Sequence, residues 1–454
     1  MRRLLPIAAA AAMLAALTAL AAPAAARTGL SPAREFAPRQ LVVKLKGEAI
    51  GQRLALPAGI NARESAAALR HNPRVEYALP NYIATASAFE VPDDPGTLGD
   101  AAEAALTVGD WPFKQWNFLN WEGTATARLP ISPGGIDAID AWRHLEEVGR
   151  TGAEGVTIAI LDTGVAYRSD GTRFLRSPDF GSGQFSRGYD FVDRDPVPLD
   201  ENGHGTHVAG TIGEKTNNGI ALTGLAYRAK LMPVRVLDAH GRGDATTIAK
   251  GIRFAVAHGA QVINMSFNFG CHKKVPVVDE ALREAYDHGV VTVASGGNIG
   301  SEACVSEPAT GPRVIGVGGT TEGGCLGDYS LAGSAIDVVA PGGGMPVSGC
   351  PSISARPIYQ VTLKPGSTSI FGIPSNYVGT SMAAAHVSGV AAMVLASGVL
   401  GKQKSPKARV QAVTRRLRTT ARSLGLATTQ QGAGLIDAGS ATEFIPDSAR
   451  QTSK

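Results

Sequence analysis

Short, wholly apolar runs alternate with amphipathic stretches from about residue 135 onward. Runs without polar–apolar alternation are typical of strands buried on both faces. A helix is predicted at 137–147, ahead of the first of these runs, and two more are predicted between later runs, at 245–258 and 276–288. Repeated strand–helix units predict an α/β domain with a mostly parallel sheet and helices on both faces. The predicted strands are 156–161, 230–237, 262–265, 290–294 and 314–317.

The region ahead of this domain has a different pattern. Residues 40–46 alternate apolar and polar side chains, 62–69 have helical spacing, and 75–83 form a second strand interrupted by a proline. These elements predict a small α+β unit. Residues 86–110 are rich in Ala, Gly, Pro and Asp without periodicity, which is typical of an exposed, cleavable linker.

The first 26 residues have the pattern of a secretory signal peptide. Two arginines begin it, residues 4–20 are almost wholly apolar, and alanines at 24–26 form a small-residue cleavage site. This segment predicts export from the cytoplasm. No later apolar run reaches the roughly 18 residues that a membrane span needs. The longest of them, 389–400, is expected to be a buried helix.

Composition and charge narrow the function classes. The chain has 454 residues, 55 glycines and 18% charged residues, which suits a compact, loop-rich enzyme rather than a disordered chain. A net charge of +4 is too small to predict nucleic-acid binding. The basic stretch 402–422 has Val410, Val413 and Leu417 at helical spacing, so we interpret it as the solvated face of a late helix.

The cysteines agree with an exported protein. Four of them, an even number, predict two disulfides with three alternative pairings. No C-x-x-C spacing occurs, so we do not expect a zinc site. The cysteines are Cys271, Cys304, Cys325 and Cys350.

Three separated segments carry the residue types of a serine nucleophile system. Asp162 follows the first predicted strand of the α/β domain, His204 begins the segment HGTHVAG, and Ser381 lies in GTSMA. A serine hydroxyl needs an imidazole to take its proton, and the imidazole needs a carboxylate to fix its tautomer and stabilise its cation. An aspartic-protease site would need two D-T-G carboxylates, and the chain has one. The pair His204 and His207 would bind a metal only with a third ligand, which we do not find.

These motifs, in the order Asp, His, Ser, resemble those of the subtilisin-like (subtilase) serine proteases. The resemblance extends over about 135–440, to the closing segment GAGLIDA. It implies a subtilisin-like fold with Ser381 as nucleophile, His204 as general base and Asp162 orienting His204. It also implies that Asn298 and the Ser381 backbone N–H donate to the oxyanion, and that His207 is a packed supporting residue. Taken alone, a serine before a helix is usually only an N-cap.

The same resemblance implies a precursor. Residues 27–108 are then an inhibitory propeptide with its linker, 109–446 the catalytic domain and 447–454 a tail, and Trp116 resembles the start of the mature enzyme. The maturation cleavage is expected within 86–110, without a fixed bond. An ordinary N-terminal β-α-β module is the alternative to a propeptide. The expected protein is secreted, monomeric and inhibited by its own propeptide.

The resemblance says least about which substrates are preferred. In the family, one segment reading Ser-Leu-Gly-Gly pairs with the substrate backbone as an added strand. Here Phe267 and Asn268 depart from that pattern, so the preferred side chain before the cut is left open. The residues expected to line the substrate cleft are Ser266, Phe267, Asn268, Gly296 and Gly297.

Two structural features also follow from the resemblance. Similar secreted subtilases pair cysteines locally, which favours Cys271–Cys304 and Cys325–Cys350. Many subtilases bind structural calcium, and oxygen-rich loops can hold it. The aspartates ahead of His204 match no defined calcium loop, so solvated turns are the other interpretation. These aspartates are Asp190, Asp193, Asp195 and Asp200.

The sequence therefore predicts a secreted serine endopeptidase that forms an acyl-enzyme and requires no cofactor for its chemistry. A catalytically silent binding protein on the same fold is the alternative. It is supported only by the altered segment at Ser266 and by Ala385, which stands where the family has proline before His386. An α/β-hydrolase esterase would need G-x-S-x-G and the order Ser, Asp, His, and both are missing.

Overall fold

The computed structural model describes residues 36–82, 91–98, 109–122, 129–271, 273–298, 304–352 and 354–444. The chain forms two compact units, Met1–Ala88 and Phe89–Lys454. The predicted signal peptide and the predicted tail 447–454 lie outside the described residues.

The first unit contains a three-stranded antiparallel sheet and a helix. Its elements are β1 (Phe36–Leu45), β2 (Gln52–Ala55), α1 (Ala62–Arg70) and β3 (Val75–Tyr82), with the strand order β2-β1-β3. The Asn61 side chain caps α1. Pro80 does not interrupt β3, because β3 is an edge strand of this sheet and the missing N–H is not needed there. The short, largely exposed β2 was not predicted from its sequence.

The second unit is built on a seven-stranded sheet. Its strands are β4 (Thr157–Asp162), β5 (Tyr189–Asp190), β6 (Lys230–Arg235), β7 (Val262–Met265), β8 (Val291–Ser295), β9 (Ile315–Thr320) and β10 (Val338–Pro341). The order is β10-β9-β8-β7-β4-β6-β5, and every neighbouring pair is parallel. β4 lies between β6 and β7, where the strand order reverses. Open parallel sheets bind ligands beyond the carboxyl ends of strands at such a point.

Helices cover this sheet on both sides. They are α2 (Ala138–Glu147), α3 (His204–Gly213), α4 (Ala245–Ala257), α5 (Pro276–Asp287), α6 (Thr380–Ser397), α7 (Pro406–Thr420), α8 (Thr428–Gln431) and α9 (Ala438–Thr442). Short 3-10 helices span Trp111–Phe113, Trp116–Phe118 and Thr151–Ala153, and β11 (Thr362–Leu363) pairs with β12 (Phe371–Gly372). The predicted α/β class is confirmed, and the seven-stranded sheet is wholly parallel.

Successive residues of β4 enter opposite cores, as the period of a strand requires. Ile160 packs in the core that contains Val208 of α3 and Val390 of α6. Leu161 packs in the core that contains Ile248 of α4. The continuous apolar run of β4 therefore reflects burial on both faces.

α6 is the central helix of the larger core. Among the described helices it is the one long and apolar enough to cross a membrane, yet 83% of that window is buried inside the protein. Its hydrophobicity is thus that of a core helix, as expected for 389–400. On α7, Val410, Val413 and Leu417 are buried, as the helical spacing predicted. Arg415 between them is exposed, whereas Arg416 is half-buried and donates to the carbonyl oxygens of Ser440 and Ala441.

Part of the predicted exposed linker is packed into the second unit, so that interpretation is wrong for residues 91–98. Asp94 is completely buried, and Val91 and Leu98 pack against the larger core. The composition of the segment did not reveal this, because its burial depends on partners more than a hundred residues away. The rest of the predicted linker before residue 109 lies outside the described residues.

Candidate active site

The three predicted catalytic side chains lie on three different elements. Asp162 is the last residue of β4, His204 is the first of α3, and Ser381 is the second of α6. Gly205 allows α3 to begin directly against the end of β4. A Cβ at this position would lie 2.1 Å from the Gly164 carbonyl oxygen and 3.2 Å from Asp162 Oδ1. The glycine that follows His204 therefore permits the imidazole to reach the carboxylate.

The contact between His204 and Asp162 is the centre of the site. Nδ1 of His204 lies 2.7 Å from Oδ1 of Asp162. The carboxylate is completely buried, whereas the imidazole is 26% exposed. Because a carboxylate only accepts hydrogen bonds, Nδ1 is the donor and Nε2 is left to accept a proton.

The surroundings of His204 favour its charged form. Burial by itself lowers the pKa of His204, but the charge and hydrogen bond of Asp162 oppose it, and the charge of Asp200 adds to them. The net result is a pKa above the ordinary value for histidine. Such an environment stabilises the imidazolium that a general base becomes when it takes a proton.

Asp200 holds together the two elements that carry His204 and Asp162. Its carboxylate accepts the N–H of Thr206 at 2.9 Å and the Thr206 hydroxyl at 2.6 Å, both from the first turn of α3. It also accepts the hydroxyl of Thr163, the residue after Asp162, at 2.9 Å. The sequence placed Asp200 among potential calcium ligands or turn residues. In the structure it joins Thr163, the residue after Asp162, to the first turn of the helix that begins with His204.

The other aspartates of that group do not form a calcium loop. The buried guanidinium of Arg235 lies 2.9 Å from Asp190, 2.8 Å from Asp193 and 2.8 Å from Glu201. The positive group that pairs with Asp190, Asp193 and Glu201 is therefore the guanidinium of Arg235. Asp193 and Asp195 are exposed residues of a turn, so the solvated-turn interpretation describes these two positions, of which Asp193 also pairs with Arg235. Within the described ranges no cluster of His, Cys, Asp or Glu side chains is arranged to hold a metal; calcium bound by other groups stays a prediction.

Ser381 lies inside the first turn of α6. The N-cap of this helix is Gly379, which has no side chain with which to cap it, so Ser381 is not a capping serine. Its hydroxyl donates to the carbonyl oxygen of Ser266 at 3.1 Å. The Ser266 hydroxyl donates in return to the Ser381 carbonyl oxygen at 2.9 Å. Among the described residues, the hydrogen bond of the Ser381 hydroxyl goes to this carbonyl and not to His204.

Asn298 is oriented by a residue that sequence reasoning missed. Its Oδ1 accepts the N–H of Thr380 at 2.9 Å and the Thr380 hydroxyl at 3.0 Å. These two donors identify the oxygen of the amide and leave Nδ2 as the donor for another group. Gly379 makes room for this arrangement, because a Cβ there would lie 2.9 Å from Asn298 Nδ2. Thr380 is part of the motif GTSMA, but its role depends on a partner 82 residues away.

The residues predicted to bind substrate follow β7 and β8, which are parallel neighbours. Gly297 and Asn268 face each other, since a Cβ on Gly297 would lie 3.2 Å from Asn268 Nδ2. That nitrogen donates to the Ser306 hydroxyl at 3.2 Å. Phe267 packs against the core beneath α4. The two departures from the family pattern thus occupy different places: Phe267 is half-buried against the core, and Asn268 faces Gly297.

Both disulfides have the favoured pairing. Cys271–Cys304 joins the chain that follows β7 to the chain that follows Asn298, with 5.8 Å between the Cα atoms. Cys325–Cys350 has a Cα separation of 6.1 Å. The first disulfide therefore ties together the two segments that carry the cleft residues.

His207 has the expected supporting role. Its Nε2 lies 3.0 Å from the Ile358 carbonyl oxygen, and its ring stacks on Tyr377 with centroids 4.0 Å apart. Burial lowers the pKa of His207 to about 3. His204 and His207 therefore have separate partners and are not arranged as a metal-binding pair.

Ala385 leaves the helix that bears Ser381 intact. α6 runs without interruption from Thr380 to Ser397, and Ala385 is completely buried within it. The neighbouring His386 contacts the Met382 carbonyl oxygen and the Asn117 amide, each at 2.8 Å. Ala385, the departure from the family that supported a catalytically silent protein, therefore leaves the helix that carries Ser381 continuous.

Comparison with known proteins finds the same architecture and motifs elsewhere. The profile of the Subtilase family matches residues 153–435. The thermophilic serine proteinase of a Bacillus species is 33% identical over 73% of this chain and 66% of its own length. The M-protease of Shouchella clausii is 32% identical over 84% of this chain and 86% of its own length. Among solved structures, a protease from Pseudoalteromonas arctica is 28% identical with a TM-score of 0.58, covering 78% of this chain and 99% of that one.

Proposed function

Because this chain belongs to the subtilase family of serine endopeptidases, we propose that it cleaves peptide bonds with Ser381 as nucleophile, His204 as general base and Asp162 as the orienting acid. The observation that carries this assignment is the 2.7 Å contact between His204 Nδ1 and Asp162 Oδ1. A buried carboxylate is costly unless it is paired. The pairing also determines which imidazole nitrogen takes the proton.

Attack begins when the Ser381 side chain turns from the Ser266 carbonyl toward His204. Nε2 takes the hydroxyl proton, Oγ bonds to the substrate carbonyl carbon, and the carbonyl π electrons move to its oxygen. His204 then gives the proton to the leaving amine as the carbon–nitrogen bond breaks, which leaves an ester on Ser381. Water, deprotonated by the same nitrogen, hydrolyses the ester, and the proton returns to Oγ.

The negative oxygen formed in each step needs preorganised donors. Asn298 Nδ2 and the Ser381 backbone N–H supply them, the latter because the first N–H groups of a helix have no partner within it. Thr380 keeps the amide of Asn298 in the donating orientation. Every role is taken by a side chain or a backbone group, so the proposed reaction requires no cofactor.

The same proposal includes export and a self-inhibited precursor. The signal-like pattern of residues 1–26 and the two disulfides support a place outside the cytoplasm, because disulfides persist in oxidising compartments. The separate α+β unit in the first 88 residues supports an inhibitory propeptide. Its removal would release an active endopeptidase acting on protein and peptide substrates.

A fluorophosphonate probe tests the catalytic assignment directly. We expect one probe per mature molecule, attached at Ser381, and no labelling after Ser381→Ala. Ser182→Ala removes an exposed serine away from the site and is expected to label normally. A properly folded protein that takes up no probe would instead support the silent binding protein.

A further inference from the structure

Residues 91–98, which precede the elements that carry the catalytic residues, form part of the interior of the second unit. Asp94 is completely buried and Thr97 is only 6% exposed. Val91 and Leu98, at the two ends of the segment, pack against the same core as α3 and α6. The segment therefore contributes both apolar and polar groups to the inside of the catalytic unit.

Backbone hydrogen bonds join this segment to the loop that follows α3. The N–H of Gly96 donates to the Ala221 carbonyl at 2.6 Å, and the N–H of Ala221 donates to the Thr97 carbonyl at 3.0 Å. The indole N–H of Trp111 donates to the Pro92 carbonyl at 2.8 Å in a buried contact. The backbone N–H of Trp111 donates to the Asp94 carbonyl at 3.2 Å. Without residues 91–98, this completely buried tryptophan would lose the acceptors of both its indole and its backbone N–H, and buried donors are rarely left unpaired.

The Asp94 carboxylate strengthens this connection. Its two oxygens accept the N–H groups of Asn217 at 3.1 Å and Asn218 at 3.2 Å, and the N–H of Asp93 donates back to the Asn217 side chain at 2.9 Å. On the other side of the loop, the Asn218 amide donates to Asp179 at 2.9 Å. The loop that continues from the helix of His204 is thus held between two buried carboxylates.

We propose that the cut that matures this protein lies before Val91, so that residues 91–98 stay covalently attached to the active enzyme. This inference rests on the proposed precursor function and narrows its cleavage window of 86–110. The step is hydrolysis of one peptide bond, with water supplying the hydroxyl of the new carboxyl terminus and a proton of the new amine. The mature chain then retains Asp94, whose carboxylate holds the loop after α3 through its hydrogen bonds to Asn217 and Asn218.

Mass spectrometry and N-terminal sequencing of the mature protein under denaturing conditions test the position of the cut. The full chain is expressed and allowed to process itself. We expect a chain that begins at or before Val91 and includes the sequence VPDDPGTL. A chain that begins at any residue after Val91 overturns the proposal, whether the residues before it are lost or are recovered as a separate peptide. A purified protein that still carries residues 36–82 would contradict the precursor function itself, which is a different failure.

Substitution of Asp94 gives a second, independent readout. Mature Asp94→Ala, held inactive with a serine-directed inhibitor, is expected to melt several degrees below wild type. The matched variant Asp93→Ala changes an exposed neighbour and should melt with wild type. If processing removes residue 94, the mature Asp94→Ala protein is chemically identical to wild type and equal melting overturns the proposal. If Asp94→Ala fails to mature, Asp94→Asn is used in its place, because it keeps one acceptor oxygen. The mass of its mature chain then shows whether residue 94 is present.

Discussion

His204 and His207 lie one turn apart in α3, yet their surroundings favour opposite charge states. The first imidazole donates to a buried carboxylate and keeps 26% of its surface exposed. The second stacks on Tyr377, contacts a backbone carbonyl and is completely buried. The pKa of His204 is raised, whereas burial lowers the pKa of His207 to about 3.

This difference shows how a single motif holds both a candidate base and a supporting residue. The residue types are identical, so chemistry follows from what each ring faces. His204 lies at the carboxyl end of β4, where Asp162 and Asp200 supply negative charge. His207 points into the core, where its ring contacts a neutral backbone carbonyl and an aromatic ring. Replacing these partners should therefore affect the two imidazoles in different ways.

The largest effect is expected from Asp162→Asn. An amide in place of the carboxylate no longer holds Nδ1 as the donor, so the wrong tautomer is favoured and the imidazolium loses its counter-charge. We expect kcat to fall by about 10⁴-fold, measured with a peptide substrate after active-site titration. Asp195→Asn, a change at an exposed turn, should retain wild-type kcat. A loss below tenfold for Asp162→Asn would remove Asp162 from the mechanism.

Asn298→Ala is expected to lower kcat by about 10²- to 10³-fold, because one oxyanion donor is lost. Thr380→Val should have a smaller effect of the same kind, since it removes the hydroxyl that orients the Asn298 amide. A double-mutant cycle separates these roles. If Thr380 acts through Asn298, the double variant is no slower than Asn298→Ala alone; fully additive losses would contradict the positioning role.

His207→Gln tests the buried member of the pair through the pH dependence of stability. The unfolded chain protonates this imidazole below its ordinary pKa of 6.5, but the folded protein does so only near pH 3. The unfolded state therefore binds more protons below pH 6.5, and the folded state loses stability at this position as the pH falls. The variant lacks this loss. Its destabilisation relative to wild type should shrink by about 2 kcal/mol between pH 7.5 and pH 5.

This comparison is best made by chemical denaturation in the Ser381→Ala background, where self-cleavage cannot occur. Both proteins are measured at the two pH values in the same buffer system. An equal stability difference at pH 7.5 and pH 5 would show that His207 binds its proton normally in the folded state, against its burial.

Asp200→Asn should give the smallest shift of the pH profile, through the loss of a negative charge near His204, and it also weakens the hydrogen bonds to Thr163 and Thr206. Removal of a negative charge lowers the pKa of His204, so the acidic limb of the kcat/KM profile moves to lower pH, by less than one unit. Asp195→Asn, which lies earlier in the same loop, should leave the acidic limb of the kcat/KM profile at its wild-type pH. Loss of activity without any movement of the limb would mean that Asp200 only supports the fold.

The sequence located the three proposed catalytic residues because their segments resemble short motifs of the subtilases. In the structure, Asp162 ends a buried strand, and His204 and Ser381 lie in the first turns of two helices. Open parallel sheets gather functional groups at such element ends. The family prediction is confirmed. The sequence analysis missed Thr380 and placed Asp200 among calcium ligands or turn residues, because a single threonine or aspartate has no distinguishing local pattern. Their roles follow from partners brought near by other parts of the chain.

Hydrophobic periodicity along the sequence predicted the parallel sheet and the covering helices, because periodicity is a local property, and the resemblance to subtilase motifs pointed to the candidate nucleophile. Which charges meet depends on the folded arrangement. In it, Asp190 and Asp193 pair with an arginine, His207 is a buried neutral ring and residues 91–98 pack into the second unit. The physical reason is that burial and pairing of polar groups depend on neighbours distant along the chain, and no local pattern encodes them.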